Sequence, residues 1–391
     1  MNHNPQENAS FVYDYAIVGA GLSGLQLANQ LLTDPFFKSK SIVIIDKSSK
    51  SENDKTWCFW EQGNGNWKHL VHHSWSETEF KSSSKTIDMT LSPYSYKMIR
   101  AIDFYSDIKA KVNTNENITW LNKEVSGITS NNTTNHAVIN CGEHSIKAAH
   151  VFDSRLPQSF LSDTKSIKLK QHFKGVFIET EDISFSHNNF TIMDFTVKHG
   201  KSSSFMYVLP LSKNKALIEF TFFNLNLVND SVYDNAIEDY ILNVLNIKNY
   251  KTLEVEKGII PMTDFNFNSD NTKFITKIGT AGGWVKPSTG YSFKRTETFV
   301  KRIVTQLKEN KTIDPPASKW RYRLYDRIFL NVLANENNKG EWIFTKFYSK
   351  NSIQMVFNYL DEQTTIFQDL KIMLSLFSIS FIKAFFRVLF R

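Results

Sequence analysis

The chain has 391 residues, of which 41% are hydrophobic and 14% aromatic, and its formal net charge is +7. This length and composition predict an ordered globular protein of two domains or one large composite domain, and they exclude a disordered chain. Two cysteines, Cys58 and Cys141, are too few for a disulfide framework or a paired-cysteine zinc site, so we expect no metal centre. The positive charge is compatible with a lipid surface, a nucleotide or a nucleic acid and does not choose among them.

The first predicted elements are a strand, a helix and a second strand. YDYAIVGAGLSGLQLANQLL (13–32) passes from a strand into a helix, and KSIVIIDKS (40–48) supplies the next strand. The residues before this unit lack a charged start followed by an apolar run, so we expect no secretory signal. A helix is then predicted in RAIDFYSDIKAKV (100–112), and ITWLNKEVSGI and HAVINCGEHSIKAAHVFD are predicted strands that return to the first sheet.

The pattern becomes rich in strands from residue 166 to residue 265. YVLPLSKNKALIEFTFF (207–223) predicts a hairpin whose turn lies at Lys213 and Asn214. Alternation along its second strand places Glu219 on the same face as Leu217 and Thr221. That face either meets water or lines an apolar space in which one ionisable group has a chemical role. One helix is predicted in this region, near DNAIEDYILNVLN.

Downstream of this region, FITKIGTAGG (274–283) predicts a strand that ends in a glycine-rich turn, and SFKRTETFVKRIVTQLKEN continues as a helix. The remaining residues are mostly helical in pattern. We therefore predict an α/β fold in which residues 1–165 and 266–315 form a discontinuous Rossmann-like FAD-binding domain. A strand-rich substrate-binding domain is inserted at 166–265, and a helical C-terminal region occupies 316–391.

A GxGxxG motif lies where the first strand gives way to the helix, with Ala20 between its first two glycines, Gly19 and Gly21, and Gly24 as the third. Such glycines permit a tight turn and close approach of the backbone to a pyrophosphate, and the helix N-terminus offers free N–H groups. Asp46 ends the second strand, at the spacing where a carboxylate accepts a hydrogen bond from a ribose hydroxyl. The strand, helix and acid together predict dinucleotide binding.

The second glycine-rich turn, with Gly279, Gly282 and Gly283, favours FAD over NAD as the bound nucleotide, because two-part flavin domains carry such a turn far downstream of the first. Its backbone amides could approach a phosphate or the flavin. The alternative interpretation is a plain loop.

Several segments resemble, in order, the bacterial form of the FAD-containing lycopene β-cyclases. The resemblance covers nearly the whole chain and rests, besides the glycine motif, on DKTWCFW (54–60), VFDSR (151–155), FTIMDFTV (190–197), YVLPLSKNKALIEFT (207–221), EKGIIPMT (256–263), IGTAGGWVKPSTGYSFK (278–294) and VFNYLDE (356–362). It implies the fold of the large flavoprotein hydroxylase and reductase group. It also implies an enzyme of carotenoid synthesis that closes the linear ends of lycopene or related acyclic carotenoids into β-rings.

The implied reaction is a redox-neutral isomerisation that requires FAD in its reduced form, with NADPH as the electron donor. Protonation of a terminal alkene needs a general acid in a dry apolar pocket, where desolvation raises the pKa of a carboxyl group and keeps it protonated. Glu219 matches the glutamate to which the family assigns the acid/base role.

The sequence departs from the family pattern beside this glutamate. Many relatives carry an acid at the next position, where this chain has Phe220, so Glu219 would be the only carboxylate at the motif. Asp194, in IMDF, could supply a second proton-handling group, or it could be a satisfied strand acid. Arg155, in DSR, could orient the isoalloxazine or bind a phosphate, or it could form a surface ion pair.

The C-terminal segment KIMLSLFSISFIKAFFRVLFR (371–391) predicts a membrane-contacting tail. Its uncharged run, Ile372 to Ile382, is shorter than the roughly 18 to 20 residues that span a bilayer. As a helix, the segment places Lys383, Arg387 and Arg391 on one side, as expected of an interfacial anchor on anionic lipid. We therefore expect a peripheral protein on the cytoplasmic face of the membrane, with no nucleic-acid partner. The alternative is that the tail packs onto the domain.

Two other functions remain compatible with the sequence. The glycine motif alone would equally permit another FAD enzyme of the same fold, such as a monooxygenase or an isoprenoid reductase. A non-catalytic membrane flavoprotein is the third hypothesis.

Overall fold

The computed structural model describes residues 11–131, 135–314 and 318–390. The strands in these residues are β1 Val12–Val18, β2 Ile42–Asp46, β3 Thr56–Gln62, β4 His73–Trp75, β5 Glu77–Lys81, β6 Thr86–Thr90, β7 Tyr94–Arg100, β8 Ile118–Asn122, β9 Gly127–Asn131, β10 His136–Cys141, β11 His144–Asp153, β12 Lys168–Thr180, β13 Asn189–Asp194, β14 Ser203–Pro210, β15 Lys215–Asn224, β16 Tyr250–Thr263 and β17 Ile275–Lys277. The α-helices are α1 Leu22–Thr33, α2 Ala101–Asn113, α3 Gln158–Ser162, α4 Asp230–Asp239, α5 Phe293–Lys308, α6 Trp320–Asn335, α7 Gly340–Lys350, α8 Ile353–Leu360, α9 Ile366–Ser375 and α10 Ile379–Leu389.

The first sheet has the strand order β8–β2–β1–β11–β10–β9, with β17 also paired to β11. Strands β1 and β2 run parallel, as the predicted strand–helix–strand unit requires. Both faces of these strands are buried: Ile17 and Ile44 pack with residues of α1, α2 and α5, while Ala16 and Val43 belong to the core on the opposite face. Burial on both faces explains why β1 and β2 read as continuous apolar runs rather than as alternating ones.

The second sheet has the order β16–β12–β15–β14–β13–β5–β6. One of its faces packs against α4 and the residues that follow it, and the other faces the large core formed with the C-terminal helices. Strands β5 and β6 come from residues 77–90, which the predicted boundary assigned to the FAD-binding domain. The boundary at residue 165 stays a prediction, and the sheet itself reaches across it.

A small sheet, β3–β7–β4, is formed by strands between residues 56 and 100, and the helices α6 to α10 complete the described chain. Helix α10 packs on α6, with Ala384 and Val388 buried. None of the helices in the described part of the chain is long and apolar enough to cross a membrane. The helices α6 to α10 confirm the helical C-terminal region predicted from the sequence.

Candidate active site

The GxGxxG motif forms a tight turn between β1 and α1. Gly19 has a φ of 98°, in the left-handed region that favours glycine. A Cβ atom on Gly24 would lie 2.0 Å from the carbonyl oxygen of Gly19, so the helix can approach the strand only with glycine at this position. At Gly21, by contrast, a Cβ atom would meet no described atom within 4 Å. The space beside Gly21 is therefore open to a ligand at the N-terminus of α1.

Asp46 lies at the end of β2, beside this turn. Its Oδ2 accepts a hydrogen bond of 2.6 Å from the backbone N–H of Ala20, and its Oδ1 accepts one of 2.8 Å from Ser48. The carboxylate is thereby fixed at the edge of the glycine turn. A ribose hydroxyl bound there would find an acceptor already held in place.

The second glycine-rich turn lies directly against the first. Residues Gly279–Gly282 form a 3₁₀ turn after β17, and a Cβ atom on Gly279 would lie 2.4 Å from Oγ of Ser23 in α1. Gly283 has a φ of 70° and ends the turn in the left-handed region. The structure thus brings together two turns that lie far apart in the sequence, as expected for a two-part flavin domain.

Arg155 follows β11 but points into an ion-pair cluster. Its Nε donates to Oδ1 of Asp153 over 3.0 Å, and its Nη1 donates to the carbonyl oxygen of Val125 over 2.9 Å. Lys277 also donates to Asp153, over 2.8 Å. The ion-pair interpretation of Arg155 accounts for these contacts, and a contact with phosphate or flavin stays a prediction.

A cavity of about 460 Å³ runs from the glycine turns to the second sheet. At one end it is lined by Gly21, Ser23 and Gly279, and at the other by Glu219 and the strands around it. The intervening walls are largely aromatic and include Trp57, Tyr96, Tyr207, Tyr291, Phe344 and Phe347. One connected space therefore joins the predicted nucleotide site to the predicted acid.

Glu219 lies on β15 and faces this cavity, with 7% of its surface exposed. Leu217 and Thr221 share its face, as the alternation predicted, and the hydroxyl of Thr221 donates to Oε1 of Glu219. Burial, with a further contribution from the negative charge of nearby Glu256, raises the pKa of Glu219 to about 8. The face that the sequence left undecided is therefore a buried one, and its acid is protonated near neutral pH.

Glu256 is the second acid of the cavity, and the sequence analysis did not assign it a role. It lies on β16 and is 8% exposed. In the sheet, β12 separates β15 from β16, and Gly175 of β12 stands opposite both Glu219 and Glu256. Burial raises the pKa of Glu256 to about 7, although the hydroxyl of Thr56 donates to its Oε2 over 2.6 Å.

Gly175 allows the two acids to share this face. A Cβ atom at this position would lie 2.9 Å from Cδ1 of Leu217, 3.3 Å from Cβ of Glu219 and 3.4 Å from Cγ of Glu256. Backbones two strands apart are separated by roughly 10 Å, so a larger residue between them would occupy the space where the side chains lean together. The alternation of EVEKGIIPM could have placed Glu256 on a defined face, but not beside Glu219.

Position 220 does not face the cavity. Phe220 is fully buried on the opposite face of β15, in the core with Ile218 and Tyr240. An acid at this position of this chain would point away from Glu219. Glu219 is the only carboxylate of the motif itself (207–221), and the second carboxyl group of the cavity, Glu256, comes from another strand.

Asp194 is fully buried and hydrogen-bonded away from Glu219. Its Oδ2 accepts from the hydroxyl of Tyr240 over 2.8 Å, and its Oδ1 accepts from the backbone N–H of Thr196 over 2.8 Å. Tyr240 belongs to the core under α4, and the cavity is lined by the neighbouring residues Ile192 and Met193 instead. The structure does not bring Asp194 together with Glu219. Both of its carboxylate oxygens accept hydrogen bonds, which agrees with the interpretation of Asp194 as a structural acid of the strand.

A cluster of buried hydroxyl groups adjoins the acids. The hydroxyl of Tyr96 makes hydrogen bonds of 2.8 Å with those of Tyr207 and Tyr291, and all three side chains line the cavity. Burial raises the pKa of each of these phenols and of the neighbouring thiol of Cys58. Because the pKa of each group is raised, this cluster contributes neutral hydroxyl dipoles and aromatic faces to the cavity wall.

The family model described as lycopene cyclase protein matches residues 14–385, nearly the whole chain. The chain belongs to the lycopene cyclase family. No match was found among curated protein sequences.

Solved structures similar to this lycopene cyclase family member are flavoproteins and related enzymes. A geranylgeranyl bacteriochlorophyll reductase-like protein from Thermoplasma acidophilum has a TM-score of 0.60 at 12% identity, over 96% of this chain and 99% of that chain. A flavoprotein/dehydrogenase from Cytophaga hutchinsonii has a TM-score of 0.60 at 12% identity, over 95% and 98%. A flavin-dependent brominase has a TM-score of 0.56 at 14% identity, over 93% of each chain. At these low identities, the structural matches show the fold alone, and they confirm the predicted fold class.

Proposed function

We propose that this family member is a lycopene β-cyclase, which converts the linear ends of lycopene into β-rings, giving γ-carotene and then β-carotene. The observation that carries the proposal is the pair of buried carboxyl groups, Glu219 and Glu256, in an aromatic cavity that opens onto two glycine turns. A hydrocarbon substrate offers neither charge nor hydrogen-bonding groups, and activating it requires an acid kept protonated by its surroundings.

FAD fits the glycine turns. The open space at Gly21, the fixed acceptor Asp46 and the adjoining turn at Gly279 would hold its phosphates and ribose. When bound in its reduced form, FAD supplies a negative charge that stabilises a cation without being consumed. We propose NADPH as the electron donor that reduces it.

Glu219 is the proposed proton donor. Because its folded-state pKa lies above neutral pH, it can transfer a proton to a carbon of the terminal alkene. The cation formed accepts the electron pair of the neighbouring alkene, which closes the ring by a new carbon–carbon bond. Loss of a proton from a ring carbon leaves the β-end, and the carboxylate of Glu219 is the base within the same cavity. One proton enters and one leaves, so the conversion is redox-neutral.

Other residues of the cavity orient this acid, raise its pKa or stabilise the cation that it forms. Thr221 donates to one oxygen of Glu219 and so orients the carboxyl group. Glu256 raises the proton affinity of Glu219 through its negative charge. The aromatic faces of Tyr96, Tyr207 and Tyr291 can stabilise a cation, and their neutral hydroxyls are weak nucleophiles compared with water or anions.

We further propose that the protein binds the cytoplasmic face of the membrane through its C-terminal helices. Several apolar residues of α9, α10 and their junction are more than half exposed, among them Phe367 at 85%, Leu374 at 73% and Phe377 at 69%. Lys371, Lys383 and Arg387 are exposed on the same segment. An apolar surface with neighbouring cations fits an interface with anionic lipid.

Anaerobic turnover tests the proposed function. The protein with FAD reduced by dithionite is incubated with lycopene in lipid vesicles, without NADPH, and the carotenoids are separated by chromatography. We expect γ-carotene and β-carotene to form. A product that appears only with stoichiometric NADPH consumption would identify a reductase, and one that requires oxygen a monooxygenase. No isoprenoid turnover under any condition would leave a non-catalytic flavoprotein.

A further inference from the structure

A second cavity, of about 300 Å³, lies among the C-terminal helices. Its walls are almost entirely apolar and come mainly from the helices α6 to α10, with Ile328, Phe329, Ile372, Met373, Leu376 and Phe381 among the lining residues. The acidic side chain in its wall, Asp326, is paired with Lys286 over 3.0 Å. The cavity therefore suits a hydrocarbon and offers no uncompensated charge at Asp326.

The second cavity adjoins the first. Thr289, Phe344, Phe347 and Leu360 line both of them. Phe344 and Phe347 lie on α7 and Leu360 ends α8, and all three are at most 8% exposed. These four residues thus form the boundary between the first cavity, which contains Glu219, and the second cavity.

The outer end of the second cavity reaches the surface at the tail. Phe377, Ile382 and Phe385 line it and are 69%, 38% and 40% exposed. They lie on the same segment as the exposed cations Lys383 and Arg387. A path from the surface through the second cavity to Glu219 would therefore begin at the apolar part of the protein that we propose contacts lipid.

The size of the substrate requires such a path. A cavity of about 460 Å³ is within the range of roughly 300–1,000 Å³ that holds a single drug-sized ligand. That space must accommodate part of a flavin as well as one end of a long linear hydrocarbon. The rest of the hydrocarbon has to leave the cavity, and the apolar wall at Phe344, Phe347 and Leu360 is the side where burial of a hydrocarbon is favourable.

We propose that the second cavity binds the polyene chain of the acyclic carotenoid while one of its ends lies at Glu219, and that the hydrocarbon enters from lipid between α9 and α10. The proposal rests on the proposed function for the identity of the hydrocarbon. It assigns Phe344, Phe347 and Leu360 to the passage between the two cavities, and Leu376 and Phe381 to the outer part of the binding site.

The test fills the second cavity without touching the acids. Leu376→Trp places a larger side chain in its wall, and Leu161→Trp makes the same change at an exposed position of α3, outside both cavities and outside the tail, as a matched control. Lycopene is equilibrated between vesicles and protein, and the bound fraction is measured from its absorbance after the phases are separated. We expect Leu376→Trp to weaken lycopene binding by at least about tenfold and Leu161→Trp to leave it unchanged. FAD content and vesicle binding, measured in parallel, should stay at the parent level in both variants.

Because this experiment measures binding, its outcome is separable from that of the proposed function. Parent-level binding and cyclisation in Leu376→Trp would overturn the second cavity as the polyene site and leave the cyclase proposal standing. If the parent protein binds lycopene and Leu376→Trp does not, but the parent never forms cyclic product, the second cavity stands as the polyene site and the cyclase proposal fails. If Leu376→Trp loses FAD or stability, Ile328→Phe, which fills the same cavity from α6, replaces it under the same criteria.

Discussion

Glu219 and Glu256 face the same cavity from two strands that do not pair with each other, and both stand opposite Gly175 of the strand between them. Both acids are at most 8% exposed, and the pKa of each is raised. Burial of two neighbouring carboxyl groups costs free energy unless they bind protons. An arrangement of this kind is expected where a protonated acid is needed near neutral pH.

Glu219→Gln should abolish cyclisation while FAD remains bound. The amide keeps the size of the side chain and cannot donate a proton of comparable acidity, so we expect the rate to fall by at least about 100-fold. Product formation from lycopene and the flavin absorbance of the purified protein measure the two effects. Glu179→Gln is the matched control, because Glu179 lies on neighbouring β12 and is paired with Lys215 at the surface. A near-parent rate in Glu219→Gln would refute the acid assignment.

Glu256→Gln should move the alkaline limit of activity to lower pH. The active form of Glu219 is protonated, so activity is present below its folded-state pKa of about 8 and declines as the pH rises through it. Removing the negative charge of Glu256 lowers that pKa, and we expect the limit to shift by about one unit. The measurement is the pH profile of kcat. Glu179→Gln, on the neighbouring strand β12, serves as the control, and an unchanged profile in Glu256→Gln would contradict the proposed coupling.

Gly175→Ala should reduce cyclisation without loss of FAD. The added methyl group would lie 2.9 Å from Cδ1 of Leu217 and crowd both acids, which must then move apart. We expect a decrease in kcat of about tenfold or more, since small displacements of reacting groups have large effects on rate. Gly127→Ala is the control, because its Cβ would meet only Asn140 Nδ2, at 3.7 Å. Equal rates in the two variants would show that the spacing of the acids does not matter.

Gly21→Val should abolish FAD binding without destabilising the apoprotein. Gly21 has an ordinary φ of −86°, and its Cβ would enter space that no described atom occupies. Gly24→Ala should instead lower both FAD content and apoprotein stability, because its Cβ would lie 2.0 Å from the carbonyl oxygen of Gly19. Flavin absorbance and thermal unfolding of the apoproteins distinguish the two cases. Retention of FAD by Gly21→Val would mean that the nucleotide does not bind at this turn.

Reversing two charges of the tail should weaken membrane binding. Each basic residue near an anionic surface contributes about 1 kcal/mol, so Lys383→Glu with Arg387→Glu should lower affinity for phosphatidylserine vesicles by at least about tenfold. Binding to neutral vesicles should change little. Sedimentation with vesicles measures both, and Lys165→Glu with Lys201→Glu, two exposed positions outside the tail, is the control. Equal binding of both double variants would exclude the tail as the electrostatic contact.

The sequence predicted those parts of the site that depend on local pattern. The glycine spacing predicted the turn before α1, and the alternation of Leu217, Glu219 and Thr221 predicted their common face. The same alternation predicts that Phe220 points to the opposite face, and the structure places it there. The family resemblance assigned the acid/base role to Glu219 but could not show which residues surround its side chain.

The pairing of Glu219 with Glu256 could not be predicted, because it depends on sheet order. Strand β12 precedes β15 and β16 in the chain yet lies between them, and only this order places Gly175 between the two acids. Strands β5 and β6 joined the second sheet for a similar reason: β5 pairs in parallel with β13 across a long stretch of sequence. Non-local pairing of this kind is decided by packing of the whole sheet rather than by any segment.

The ladder of backbone hydrogen bonds through β15, β12 and β16 has a consequence for how the reaction proceeds. Carboxyl groups carried by loops can swing toward a ligand, whereas strand pairing fixes the backbone positions of these two. If Glu219 is the proton donor, as we propose, the backbone that carries the donor is stationary, and the hydrocarbon has to travel to it. A molecule with two linear ends must then leave the cavity and bind again by its other end. The two ring closures are therefore separate binding events at the same acid.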